Sequence, residues 1–108
     1  MTVIAPRVLV VDDDESICWV LSKALDKAGF AVPVAHAGPE ALERLALDPP
    51  SIVLMDIRMP GMSGLDALEK IRSERRDVQV IIMTAQSTMT HAIEAMKRGA
   101  YDYVTKPF

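Results

Sequence analysis

Three short apolar runs punctuate the chain: Val8-Leu9-Val10-Val11, Ile52-Val53-Leu54-Met55 and Val80-Ile81-Ile82-Met83. Each is rich in β-branched residues, and none alternates with polar ones. Continuous runs of this length suit strands buried on both faces, as in a parallel sheet. Two weaker strand candidates are Phe30–Ala35 and Tyr101–Val104. Pro33 cannot donate to a sheet ladder, so the first of these belongs at an edge.

Helical spacing fills the gaps. From Glu15 to Lys27, apolar residues recur as Ile17, Val20, Leu21, Ala24 and Leu25, with Asp14 placed to cap the start and Gly29 to end the run. Pro39–Leu47 carries Ala41, Leu42, Leu45 and Ala46, with Pro39 in a first-turn position. From Gly64, the face is Leu65, Leu68 and Ile71, and Ser63 with Asp66 resembles a capping box. Thr88–Arg98 carries Met89, Ala92, Ile93 and Met96, a stripe expected in the core, and Gly99 stops it. Strand and helix alternate strictly, which predicts an α/β fold: a doubly wound, five-stranded parallel sheet with right-handed crossovers.

Composition narrows the function. The 108 residues are the size of one domain, half of them are apolar, and the net charge is −3. This is enough apolar material for a core, and too acidic a balance to grip nucleic acid phosphates directly. One cysteine excludes an internal disulfide framework, and Cys18 is expected to pack as a small hydrophobe. With two histidines, His36 and His91, a histidine-rich metal centre is not expected. No apolar run reaches the length of a membrane span, and no signal peptide is evident at the N-terminus, so the expected compartment is the cytoplasm.

In an open parallel sheet, ligands bind beyond the carboxyl ends of the strands. The first strand ends in Asp12-Asp13-Asp14, the third in Asp56, the fourth in Thr84-Ala85, and the fifth is followed by Thr105-Lys106-Pro107. Carboxylates converging at one rim repel unless a cation intervenes. Mg²⁺ is the natural partner, since it takes oxygen ligands and is commonly shared with a phosphate. Lys106 would add a point charge and Thr84 a hydroxyl donor. Such a set suits phosphoryl transfer to an aspartate nucleophile. Asp56, the single acid at its strand end, is the expected nucleophile; Asp12 and Asp13 are the expected metal group, and Asp14 the helix cap.

These residues resemble the receiver domain of bacterial two-component response regulators. The resemblance rests on Val10-Val11-Asp12-Asp13, the run from Met55 to Gly64 (Met-Asp-Ile-Arg-Met-Pro-Gly-Met-Ser-Gly), Met83-Thr84-Ala85 and Lys106-Pro107-Phe108, in the family's order and spacing. Ser16–Leu21, Ile81–Ala85 and Gly99–Tyr103 look like the nitrogen-regulation (NtrC-type) transcriptional activators in particular. The resemblance implies a flavodoxin-like sheet with strand order 2-1-3-4-5. It implies that Asp56 accepts phosphate from a sensor histidine kinase, and that Asp13 ligates Mg²⁺ directly and Asp12 mainly through water. The backbone carbonyl of Arg58 would supply a further ligand. Lys106 would pair with a phosphoryl oxygen, with a cis bond to Pro107. Thr84 and Tyr103 would form the switch, the first moving toward the phosphoryl group and the second changing rotamer. Receiver domains slowly remove their own phosphate, so the implied module is a switch with self-directed chemistry rather than an enzyme.

The family fold closes with a fifth helix, and these residues stop at Phe108 without one. The expectation is a single receiver domain over residues 1–108, the N-terminal fragment of a longer regulator with attached ATPase and DNA-binding modules. A competing reading is that the uncovered face takes another chain, including a second copy in a homodimer. A different function also stands: Asp12-x-Asp14 loosely mimics the signature of phosphohydrolases with an aspartate nucleophile, which would make Asp12 the attacking group.

Overall fold

The computed structural model describes residues 5–75, 77–85 and 89–106. Its elements alternate along the chain as β1 (Val8–Val11), α1 (Glu15–Lys27), β2 (Val34–Ala35), α2 (Gly38–Leu47), β3 (Ile52–Asp56), α3 (Gly64–Glu74), β4 (Gln79–Ala85), α4 (Met89–Lys97) and β5 (Asp102–Lys106). All strand pairs are parallel, in the order β2-β1-β3-β4-β5. The expected fold class and strand order are therefore observed.

Register sorts the strand residues into two faces. Val11, Met55, Ile82 and Tyr103 lie side by side across the sheet. With Leu9, Val53 and Val80 they form the inner layer of the main core, which includes Ala41 and Leu45 of α2, Leu68 and Ile71 of α3, and Ala95 of α4. The opposite layer carries Val10, Leu54 and Met83 and packs on α1 less completely. There Leu21, Leu54, Met83 and Val104 line an open apolar groove.

Caps set the helix starts. Asp14 accepts from the N–H groups of Ser16 and Ile17 at 2.8 and 3.3 Å, satisfying donors that a first helical turn leaves free. Ser63 Oγ accepts from the Asp66 N–H at 3.2 Å. Gly29 and Gly99 follow α1 and α4 with φ of +99° and +102°, the left-handed conformation in which a chain leaves a helix most easily through glycine.

Several expected boundaries shift. β2 shrinks to Val34–Ala35 because Pro33 has no N–H to give; its carbonyl still accepts from Val10. β5 begins at Asp102 rather than Tyr101 and extends through Lys106. β3 includes Asp56, whose partner in the neighbouring strand is Met83. α2 starts at Gly38, with Pro39 in its first turn. The start of the fourth helix at Thr88 and the bond from Lys106 to Pro107 lie outside the described residues. The expected core stripe on α4 is a clear correction. Ala92 and Ala95 face inward, whereas Ile93 and Met96 are 53% and 42% exposed. Two small residues fit the close approach of α4 to the sheet, and the larger ones turn to solvent. The Met89 side chain lies outside the described part.

Gly64 makes one sharp prediction. A Cβ at this position would lie 2.3 Å from the Asp56 carbonyl oxygen and 2.8 Å from Ile57 Cα, both backbone atoms. Gly64→Ala should lower stability by about 1–3 kcal/mol, as overpacking commonly does. A lower urea midpoint with unchanged slope is the expected result.

Candidate functional site at the carboxyl end of the sheet

The alternation of strand residues places the key side chains before any contact is considered. Asp12 continues the series Val8, Val10; Asp56 continues Ile52, Leu54; Lys106 continues Asp102, Val104. Registered across the sheet, these three series share one face. Three separate strands thus deliver two acids and a cation to one end of the same surface.

Distances show that they meet. Lys106 Nζ donates to Asp12 Oδ2 at 2.7 Å and to Asp56 Oδ1 at 3.2 Å. Asp12, Asp13 and Asp56 each offer a carboxylate oxygen, all within 4.8 Å of one another. Asp12 is fully buried, Asp56 is 8% exposed and Asp13 is open to solvent. Asp12 also accepts from the Asp14 N–H at 2.9 Å through its other oxygen. The same loop is tied to α1 from below by the Cys18 thiol, which donates to the Asp12 carbonyl at 3.3 Å.

Electrostatics follow from this crowding. Burial, and then the neighbouring Asp12 charge, raises the Asp56 pKa above its ordinary value, with Lys106 opposing the rise. Burial disfavours the Lys106 charge, yet its hydrogen bond to Asp12 and the charges of Asp56 and Asp12 outweigh that, and its pKa is raised. Burial and the Asp12 charge push the Cys18 thiol up to about 11. It therefore stays protonated and able to donate, as expected of a packed cysteine.

The loop after Asp56 is held by the main chain. Ile57 N–H donates to the Met83 carbonyl at 3.2 Å, and Gly64 N–H to the Ile57 carbonyl at 2.8 Å. Gly61 has φ +82°, which suits its place after Pro60 in a turn. Ile57 and Met59 are buried and the Arg58 side chain between them is exposed.

Thr84 and Tyr103 belong to the other layer. Thr84 is 2% exposed and continues the series Val80, Ile82, beside Thr105 in register. Among the described residues, no hydrogen bond joins it to the Asp12–Asp56–Lys106 group. Tyr103 is half-buried against the main core, while Tyr101 is exposed. The carboxylates and lysine expected at one site are thus together; Thr84 and Tyr103 stand behind them on the α4 side. Sequence reasoning placed Lys106 at the site but missed its pairing with Asp12, the Cys18 tie and the clash that reserves position 64 for glycine. Only the last left a sequence signal, a Pro-Gly-Met-Ser-Gly loop following the acid.

A set of three carboxylates is a hard-oxygen donor group and fits Mg²⁺ in kind. The buried Asp12, with Asp13 and Asp56, would hold it.

Comparison with known proteins shows the family. The family model described as "Response regulator receiver domain" matches residues 8–108. The chain is 50% identical over 101 residues to the DNA-binding transcriptional regulator NtrC of Escherichia coli (strain K12), covering 94% of this chain and 22% of that protein. It therefore spans about a fifth of the length of that relative. Among solved structures, the receiver domain of NtrX from Brucella abortus superimposes with a TM-score of 0.90 at 30% identity, over 94% of this chain and 86% of the other. The beryllofluoride-activated NtrC4 receiver domain dimer gives 0.88 at 34% identity, over 94% and 84%. A match that spans nearly the whole chain, on a sheet of this order with acids and a lysine at its carboxyl end, places the protein in the response regulator receiver domain family.

Proposed function

We propose that this domain is a Mg²⁺-dependent phosphorylation switch whose acceptor is Asp56. The observation that carries the reading is the convergence of Asp12, Asp13 and Asp56 with Lys106 at the end of the sheet. In the proposed reaction, an Asp56 carboxylate oxygen attacks the phosphorus of a phosphohistidine on a sensor histidine kinase. The bond from phosphorus to the imidazole nitrogen breaks, and the imidazole leaves and takes up a proton. The product is an acyl phosphate on Asp56.

Each neighbour has a part. Lys106 opposes the rise in the Asp56 pKa that burial causes and then offers its charge to the phosphoryl oxygens. Asp12 and Asp13, with Asp56, would hold Mg²⁺, which when bound would neutralise the charge gathered on the phosphoryl group. The Arg58 carbonyl is the further proposed ligand. Thr84 moves toward the new oxygens, and Tyr103 follows by changing its packing against the core. The new charge thereby biases the β4–α4 region between two arrangements.

The rest of the machinery is proposed by likeness to the longer NtrC relative: an attached output that includes ATPase and DNA-binding modules, with no direct nucleic acid contact by this domain. The apolar groove on the α1 face is a candidate seat for a further helix or for a second copy. Among the described residues, no helix is long and apolar enough to cross a membrane.

Incubation with a small phosphodonor and Mg²⁺, followed by mapping of the acid-labile phosphate, tests the reading. The label is expected on Asp56. A label on Asp12, with turnover of small phosphate esters that Asp12→Asn abolishes, would favour the phosphohydrolase reading instead.

Asp56→Asn should fold and lose acceptance. It should also raise the unfolding midpoint at neutral pH without Mg²⁺, on the order of a few degrees, because it removes a buried charge beside Asp12. The folded-state pKa of Asp56 is raised, so its ionised form costs stability at pH values above that pKa. The advantage of the asparagine variant should therefore shrink as pH falls through the raised pKa and vanish near the ordinary carboxylate value. Thermal melts of both proteins across that range are the check.

Lys106→Ala leaves buried Asp12 without its cation. The expected loss is about 2 kcal/mol in Mg²⁺-free buffer, largely recovered on adding Mg²⁺. The variant should still be labelled, while amide exchange in α4 no longer responds to phosphorylation.

A further inference from the structure

Among the described residues, α4 brings little apolar side-chain area to the core. Its described buried side chains are Ala92 and Ala95, which remove a small apolar area from water. Ile93 and Met96 point outward. Nδ1 of His91 is buried without a hydrogen-bond partner among the described residues, a cost that this placement of the helix carries. Elements with few buried apolar contacts are the ones that shift at low free energy.

A charged clasp to α3 supplements this packing. Arg98, just past the end of α4, donates from Nε to Glu94 Oε1 at 3.0 Å. Its Nη1 lies 3.5 Å from Glu69 Oε2 and 3.8 Å from Asp66 Oδ1. Asp66 and Glu69 are three residues apart and share a face of α3. Arg72 reaches across in the other direction. Its Nη1 donates to the Val78 carbonyl at 3.1 Å, and its stem lies against Gly99, where a Cβ would come within 3.3 Å of Arg72 Nε. One arginine from each side therefore crosses the seam between α3 and the turn that ends α4.

We propose that the Arg98–Glu94–Glu69–Asp66 cluster is an autoinhibitory restraint that holds α4 in the arrangement of the unmodified domain. In the structure that arrangement accompanies the Lys106–Asp56 ion pair. The proposal rests on the reading of Asp56 as phosphoacceptor and adds what sets the threshold of the switch. A contact made in one state only shifts the equilibrium by its own free energy. Exposed ion pairs are individually weak, so one arginine shared among three acids should bias the switch roughly two- to five-fold.

The test is a titration of the whole chain with beryllofluoride in saturating Mg²⁺, followed through the amide signals of α4. Arg98→Gln should lower the concentration for half-conversion roughly two- to five-fold. The double variant Asp66→Asn with Glu69→Gln alters two exposed side chains, so its fold is not at risk, and it should shift the midpoint the same way. The first change makes the protein more negative and the second less negative. A shared direction therefore separates loss of the clasp from a net-charge effect on an anionic probe. Combining the changes should add little, since they break one cluster. Unchanged or raised midpoints in both variants, with a responsive wild type, would overturn the clasp and leave the phosphoacceptor reading standing. A wild type indifferent to beryllofluoride at every concentration would remove that reading, and the clasp with it.

Discussion

The domain is organised around an electrostatic problem: carboxylates from two strand ends are brought together where little water reaches them. Asp12 and Asp56 both lie in low-dielectric surroundings, with Asp13 beside them. Their mutual repulsion is tolerated because Lys106 is hydrogen-bonded to Asp12 and Asp56 at once. A single cation shared between two buried acids leaves negative charge in excess. That excess gives the site its proposed appetite for a divalent cation, whose charge, with that of Lys106, would then favour a phosphoryl group.

The fold supplies this arrangement through strand alternation. Val10, Leu54 and Val104 occupy the same sheet layer whose next members are Asp12, Asp56 and Lys106. The buried runs fix the register, and the register fixes the rim. A one-residue slip in any of these strands would turn its functional side chain to the opposite face. The loop after Asp56 is equally constrained, because Gly64 packs against the backbone of Asp56 and Ile57. Stability of the sheet and placement of the site are in this sense one property.

Much of this was legible in the sequence, for identifiable reasons. The runs beginning at Val8, Ile52 and Val80 are continuous and β-branched, so their burial on both faces could be read directly. The acids and the lysine were legible because the ends of those strands were. β2 was overextended because composition cannot show that Pro33 accepts from Val10 without continuing a strand. The α4 stripe misled for a different reason: helical spacing locates a face, but not whether a close approach to the sheet requires alanine there rather than isoleucine or methionine. The contacts of Cys18 with the Asp12 carbonyl, and of Arg98 with α3, depend on three-dimensional neighbours that no local pattern encodes.

The acidic rim of Asp12, Asp13 and Asp56 is proposed to bind a divalent cation. The most direct test is the thermal midpoint of the metal-free protein against Mg²⁺ at constant ionic strength, for the wild type and Asp13→Asn, an exposed position whose change should spare the fold. A ligand that binds only the folded state raises the midpoint with its concentration. A saturable rise is expected in the wild type and a much smaller one in the variant. A wild-type midpoint that ignores Mg²⁺, or rises equally in both proteins, would contradict it.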